Sequence, residues 1–276
     1  MRTNGLIVVT GGTGGLGHRV VARLRDKGRN VRVLSRHPRD SQEGVEYMAG
    51  DLVKNQGVEE AIAGAEIVIH CAGVGKITED TAQARNVVVA AKRGGVRHLV
   101  SISVVGADRI PVRSAIDRSM FAYFASQRAK EIVIAQSGLP WTNLRASQFH
   151  DGFILVMVRA MSGLPIVPLP AHTRFQPVDA DEVADALAEL ALGPPAGQAP
   201  DIAGPKIYDS EYLLRSYLDA IGKHRLIFKV RMPGGAAAAI REGANLAPDR
   251  AVGRRTWEEF LATSVLKPFH LDSQLT

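Results

Sequence analysis

Cysteine is nearly missing from this chain: Cys71 is the single one in 276 residues. One thiol cannot close an internal disulfide or build a cysteine-rich metal site, so nothing argues for secretion and the cytoplasm is the expected compartment. Aromatic residues make up only 5%. Long apolar runs are lacking too, because the stretch from Phe153 to Val158 is cut by Arg159 and falls far short of a bilayer span. No membrane partner is expected. The opening residues run straight into Leu6 to Thr10, too short for a signal-peptide core and without a small-residue cleavage site, so no targeting segment is expected. There is no internal repeat, no metal-ligand spacing and no Gly-x-Ser-x-Gly elbow, which sets hydrolase and metalloenzyme readings aside.

Charge of one sign is also not concentrated. The net charge of +6 comes from scattered arginines, dense only from Arg250 to Arg255 and there without the interleaved aromatics that a single-stranded nucleic-acid platform needs. A solvated basic surface that suits an anionic cofactor is expected, with no nucleic-acid partner.

What is present is 27 glycines without periodic spacing and an apolar share of 46%, enough for one large α/β domain spanning 1–276. Short β-branched runs at Leu6–Thr10, Val31–Leu34, Val45–Met48, Ile67–His70 and His98–Ile102 alternate with helix-period segments near Gly15–Lys27, Gly57–Ala63, Thr78–Arg93 and Ser119–Gln136. A sixth strand, Trp141–Arg145, follows Gly138 and Pro140, which end the preceding helix. Strand and helix in alternation predict a doubly wound parallel sheet of Rossmann type over about 1–150. A small C-terminal substrate lobe is expected mainly from about 151–276, with a helix to about Ser162, a strand near Phe175–Val178, helices Ala180–Leu192, Ser210–Ile221 and Thr256–Ala262, and a loop from Gly193 to Pro200.

The strongest motif is Thr10-Gly11-Gly12-Thr13-Gly14-Gly15-Leu16-Gly17, placed directly after the first strand and opening a helix. Gly11 permits the tight turn, Gly14 lets backbone approach a pyrophosphate, and Gly17 allows close helix-to-strand packing, while free amides at the helix start face the phosphates. About twenty residues further on, an NAD enzyme places an acidic residue for the adenosine ribose. Here stand Ser35 and Arg36, and a guanidinium matches a 2′-phosphate instead. NADP(H) is therefore preferred, with NAD(H) possible if Arg36 is only a solvated strand end. Asp51, with Leu52 beside it, follows the third strand and either hydrogen-bonds the adenine amino group or caps the next helix. Cys71, Ala72 and Gly73 end the fourth strand, where small residues let a cofactor ribose pass close to the backbone.

These motifs, together with Ser101-Ile102-Ser103-Val104-Val105-Gly106, Leu139-Pro140-Trp141-Thr142 and the stretch from Phe175 to Ala184, resemble the atypical short-chain dehydrogenase/reductase superfamily, in its NmrA-like NAD(P)H-binding branch. The resemblance covers nearly the whole chain and implies an NADP(H)-binding core with a small lobe over the nicotinamide, in a group that holds reductases and also cofactor binders without turnover. Catalytic members carry Tyr and, four residues on, Lys, the Tyr protonating a carbonyl and the Lys lowering its pKa and holding the nicotinamide ribose. Lys130 stands in the expected helix, but Ser126 occupies the Tyr position. Tyr123, one turn earlier, shares the face and is either a shifted donor or a packing aromatic. Ser101 and Ser103 both qualify as the strand-end serine, Ser101 also as a cofactor contact, while Ser147, Gln148, Phe149 and His150 fall on the substrate side, His150 as acid or as packing group.

The expected function is an NADP(H)-dependent oxidoreductase passing hydride to a small organic acceptor, a carbonyl, enone or quinone. Two alternatives stand beside it: an NADP(H)-binding redox sensor that regulates a protein partner, and an isomerase or epimerase with tightly held cofactor.

Overall fold

A computed structural model describes residues 5–42 and 44–264. The first half lays down β1 (Leu6–Thr10), α1 (Gly17–Asp26), β2 (Val31–Ser35), β3 (Val45–Ala49), α2 (Val58–Ile62), β4 (Ala65–His70), α3 (Ile77–Arg93), β5 (His98–Val104), α4 (Ala115–Ala135) and β6 (Trp141–Ala146). The apolar runs bounded by glycine became the expected strands, most of them extended by one or two residues. The helix α4 begins earlier than expected because Ser114 and Asp117 form a capping box: Ser114 Oγ accepts from Asp117 N at 3.0 Å and the Asp117 carboxylate accepts from Ser114 N at 3.1 Å.

Beyond β6 come a wide π-type turn (His150–Ile154), α5 (Leu155–Ser162), β7 (Ile166–Pro170), β8 (Arg174–Phe175), α6 (Ala180–Leu192), β9 (Gly197–Gln198), β10 (Tyr208–Asp209), α7 (Ser210–Ala220), β11 (Leu226–Val230), α8 (Gly235–Arg241) and α9 (Trp257–Ser264). Seven strands form one parallel sheet in the order β3-β2-β1-β4-β5-β6-β9, the doubly wound order with its switch point between β1 and β4. Helices cover both faces. Ile7, Val9, Val33 and Ile69 meet α1 and α6 on one side, and Val8, Val68 and Leu99 meet α2, α3 and α4 on the other. Both rows are fully or almost fully buried, each such Val or Ile contributing about 1.5–3 kcal/mol.

The C-terminal part is not one continuous lobe. The segment from α6 to β9 returns to the sheet: Arg19 and Arg23 on α1 pair with Asp181 on α6, and β9 adds the seventh strand beside β6. That strand lies in the segment expected as a loop. It is only two residues of Gly and Gln, ordered by pairing with Thr142 and Asn143 rather than by its own propensity. The strand expected over Phe175–Val178 shrinks to Arg174–Phe175, with Val178 making one bridge to Phe149. Elements not expected include β7 and β11, which pair in parallel as a separate ribbon, β10, which pairs with β8, and α8. The remaining lobe has its own core around Ile154, Leu169, Leu213 and the fully buried Trp257.

Candidate active site

The turn after β1 fits a diphosphate because backbone alone occupies it. Gly11 has φ +71, and a Cβ there would lie 2.6 Å from Ala72 N. A Cβ on Gly17 would lie 2.0 Å from Gly11 O, so strand and helix start are in direct backbone contact. Thr13, Gly14 and Gly15 are exposed at the turn, and no side chain caps α1; the Gly14 and His18 amides donate to Gly11 O and Gly14 O, and the turn lies at the positive end of the helix. Leu16 is buried and closes the turn toward the cleft. The Thr10 hydroxyl and His70 Nδ1, 2.7 Å apart, tie β1 to β4 just below.

At the adenosine end, Ser35 is buried and its Oγ accepts from His37 N at 3.3 Å, turning Arg36 and His37 out to solvent. Asp51 Oδ1 accepts from Val53 and Lys54 amides at 2.8 and 3.1 Å and so closes the turn after β3; it does not cap α2, whose N-cap is Gly57. Those backbone bonds, with the Arg36 charge adding, hold its carboxyl below the usual range. Leu52 is buried and its carbonyl accepts from Asn86 Nδ2 at 2.7 Å.

From Cys71, Ala72 and Gly73 a cleft of about 610 Å³ runs beneath the lobe, outside the carboxyl ends of β4, β5 and β6. Its walls concentrate what the chain has little of. Met120, Met157, Met161 and Met232 line it, four of the six methionines, as do Phe121, Phe124, Phe149, Phe153 and Phe175, five of the eight phenylalanines. Burial raises the Cys71 thiol to about 12, so it faces the cleft as a neutral group.

Lys130 lies at the cleft floor and is fully buried; burial pushes it down to about 8 against the opposing pull of Asp80. Its helix is locked by its neighbour: Glu131 accepts from Arg145 Nε and Nη2 at 2.7 and 2.8 Å, and Arg145 Nη1 reaches Asp108 at 2.8 Å. Of the two serines, Ser103 lines the cleft; its Oγ has no hydrogen-bond partner among the described residues. Ser101 is fully buried, donates to Asn143 Oδ1 at 2.7 Å and does not line the cleft.

The fate of Ser126 depends on Asp80, a residue the sequence reading passed over. Asp80, buried in the first turn of α3, accepts from Val74 N at 2.7 Å and Gly75 N at 3.0 Å, closing the loop after β4. It also accepts the Ser126 hydroxyl. The Ser126 hydroxyl is therefore consumed in a structural bond. Tyr123 does line the cleft, but its side chain is 49% exposed and the charge of the buried Asp80 acts to raise its phenol. This is the reverse of what a proton donor needs.

Gln148 supplies an amide whose nitrogen and oxygen are both buried and unpartnered at the cleft wall, and Asn245 Oδ1 is in the same condition. Ser147 also lines the cleft, but its Oγ donates to Gln176 O at 2.6 Å. His150 departs from expectation. It stacks on Phe260 at 5.3 Å between ring centroids, is forced neutral by burial that lowers it to about 4, and lines a second cavity with Arg19 and Arg255 instead of the cleft. The packing alternative holds, because the π-type turn rotates it under the lobe. Asn245 lies in the loop after α8, and nothing local in its sequence pointed to the cleft.

The match to known proteins follows this geometry. A family model described as NAD(P)H-binding matches residues 11–192. The (4-alkanoyl-5-oxo-2,5-dihydrofuran-3-yl)methyl phosphate reductase of Streptomyces griseus is 30% identical over 207 residues, covering 73% of this chain and 68% of that enzyme. The NAD(P)H azoreductase of Xenophilus azovorans is 27% identical over 227 residues, covering 79% and 74%. The structure of the NADPH-dependent quinone oxidoreductase of Escherichia coli with NADPH superposes with a TM-score of 0.76, covering 93% of this chain and 98% of that one, at 19% identity, a likeness of fold. The chain belongs to the NAD(P)H-binding family and stands among its oxidoreductases.

Proposed function

We propose that the protein is an NADPH-dependent reductase of conjugated, apolar acceptors, quinones or enones in preference to simple ketones. The observation that carries this reading is that the Ser126 hydroxyl is held by Asp80, while Tyr123 stands 49% exposed at the cleft wall with the Asp80 charge acting to raise its phenol. When bound, the reduced nicotinamide supplies a hydride. Hydride delivered to a quinone's carbonyl oxygen would form its O–H bond and leave the ring as a hydroquinone monoanion, with a basicity near that of a phenolate at about 10, which takes its second proton from water. A simple ketone would give an alkoxide and would need a donor beside it.

The chain's residues then have positioning work. The backbone of residues 11–17 holds the diphosphate, Lys130 the nicotinamide ribose, and Arg36 the 2′-phosphate that favours NADPH over NADH. Gln148 Nε2 is free to donate to the acceptor carbonyl, and the Met and Phe walls exclude water while adapting to acceptor shape. The related Streptomyces enzyme is named for an alkanoyl-substituted oxo-dihydrofuran, itself a conjugated acceptor. The Met and Phe walls extend past the residues assigned to the cofactor, which a sensor would not need and which favours turnover.

The test is NADPH oxidation against quinones, enones and unactivated ketones. Turnover is expected with the first two and none with the third; reduction of simple ketones at comparable kcat/KM would overturn the reading. In the same assay Arg36→Asp should lower NADPH preference by about thirtyfold, as one bidentate phosphate contact implies.

A further inference from the structure

The ribbon of β7 and β11 presents an outward apolar face. Its register sets Ile166 beside Leu226, Pro168 beside Phe228 and Pro170 beside Val230. Alternation puts these residues on one side and Val167 and Leu169 on the buried side. Leu226 is 71% exposed, Ile166 53% and Phe228 50%, more than isolated surface apolars require. The third row reaches the cleft, because Pro170 and the nearby Met232 line it.

The segment that carries β11 holds charge of one sign. From residue 220 to residue 241 there is no Asp or Glu, while Lys223, Arg225, Lys229, Arg231 and Arg241 fall within that span. Lys229 is satisfied by Glu211 at 2.9 Å. Arg225 donates only to carbonyls, of Ser162 and His224, and neither Lys223 nor Arg231 has a carboxylate partner among the described residues.

We propose that this ribbon docks the protein on an anionic lipid surface, Leu226 and Phe228 inserting among the acyl boundary while Lys223, Arg225 and Arg231 meet the headgroups. Exposed apolar side chains ringed by unpaired cations are what such a surface binds. A second copy of the chain fits less well, since a two-fold contact would set the same cations against one another. Docking stands apart from the expected lack of a membrane span: among the described residues no helix is long and apolar enough to cross. The benefit to catalysis, direct passage of a lipophilic acceptor from the bilayer to the cleft along Pro170, rests on the reductase reading; the docking itself does not.

Co-sedimentation of the full chain with vesicles of phosphatidylcholine, alone or mixed with phosphatidylglycerol, tests this without any turnover. Binding is expected to the mixed vesicles only, and to fall with added salt. Leu226→Asp with Phe228→Asp should lower the bound fraction at least about tenfold, and Lys223→Glu with Arg225→Glu by a similar factor, with NADPH binding by calorimetry retained as the check on folding. Absence of binding to mixed vesicles would overturn the proposal, as would equal binding by the charge-reversed variant. A dimer by light scattering that the Asp variants split, without vesicle binding, would assign the face to a second copy instead.

Discussion

The cofactor end and the acceptor end of the cleft are made of different material. At the cofactor end the contacts are backbone to backbone: Gly17 against Gly11, Gly11 against Ala72, with no room for a methyl group. At the acceptor end the walls are long, soft side chains drawn from α4, α5, β7, β8 and α8, with Met120 and Phe153 partly exposed at the mouth. A diphosphate has one shape and wants fixed amides, whereas a chamber of methionines re-forms around its occupant. The chain therefore spends its rigidity on the part of the reaction that does not vary.

The sharpest way to break this contrast is Gly17→Val. The added side chain displaces α1 from Gly11, and NADPH affinity should fall by about a thousandfold or more in calorimetry, whereas an equally large change at Met157 should leave it unmoved. Retained NADPH binding in Gly17→Val would show that the cradle is not the anchor.

Lys130→Met probes the junction between the two ends and should cost about a hundredfold in kcat/KM for NADPH. Its melting temperature should stay level or rise, because an apolar isostere replaces a buried cation; a fall would mark a structural role instead. The wild-type protein carries the same conflict in its pH dependence. Since Lys130 titrates at about 8 when folded against 10.5 otherwise, the unfolded chain binds more protons between those values. Below about pH 8 the buried cation costs of order 3 kcal/mol, and the free protein regains this as pH rises toward 10.5. Over the same window NADPH affinity should weaken as the ammonium is lost, so stability and binding move in opposite directions.

The contrast also explains what could be read from the sequence. Residues 11–17 are contiguous and their chemistry is local, so the glycine turn and the doubly wound sheet were legible from motif and strand–helix alternation, whereas Lys130 was singled out by the family resemblance. The walls come from segments separated by up to a hundred or so residues, and Asn245 or Met232 has no local signature. Two prolines in Ile166-Val167-Pro168-Leu169-Pro170 hid β7, since Pro marks edge strands or none. Asp80 was hidden differently: an acidic residue in a first helical turn reads as ordinary helix chemistry, and only the fold brings it beneath Ser126. His150 was misplaced because a one-residue widening of a helical turn changes which cavity a side chain faces.

Hydride transfer without a side-chain acid is the central claim, and single-turnover oxidation of bound NADPH by a soluble quinone measures it directly. From about pH 5 to about pH 7 the rate should be flat, and Tyr123→Phe should match the wild type within about twofold. A rate that follows one titration curve and disappears in Tyr123→Phe would contradict the account and make Tyr123 the donor.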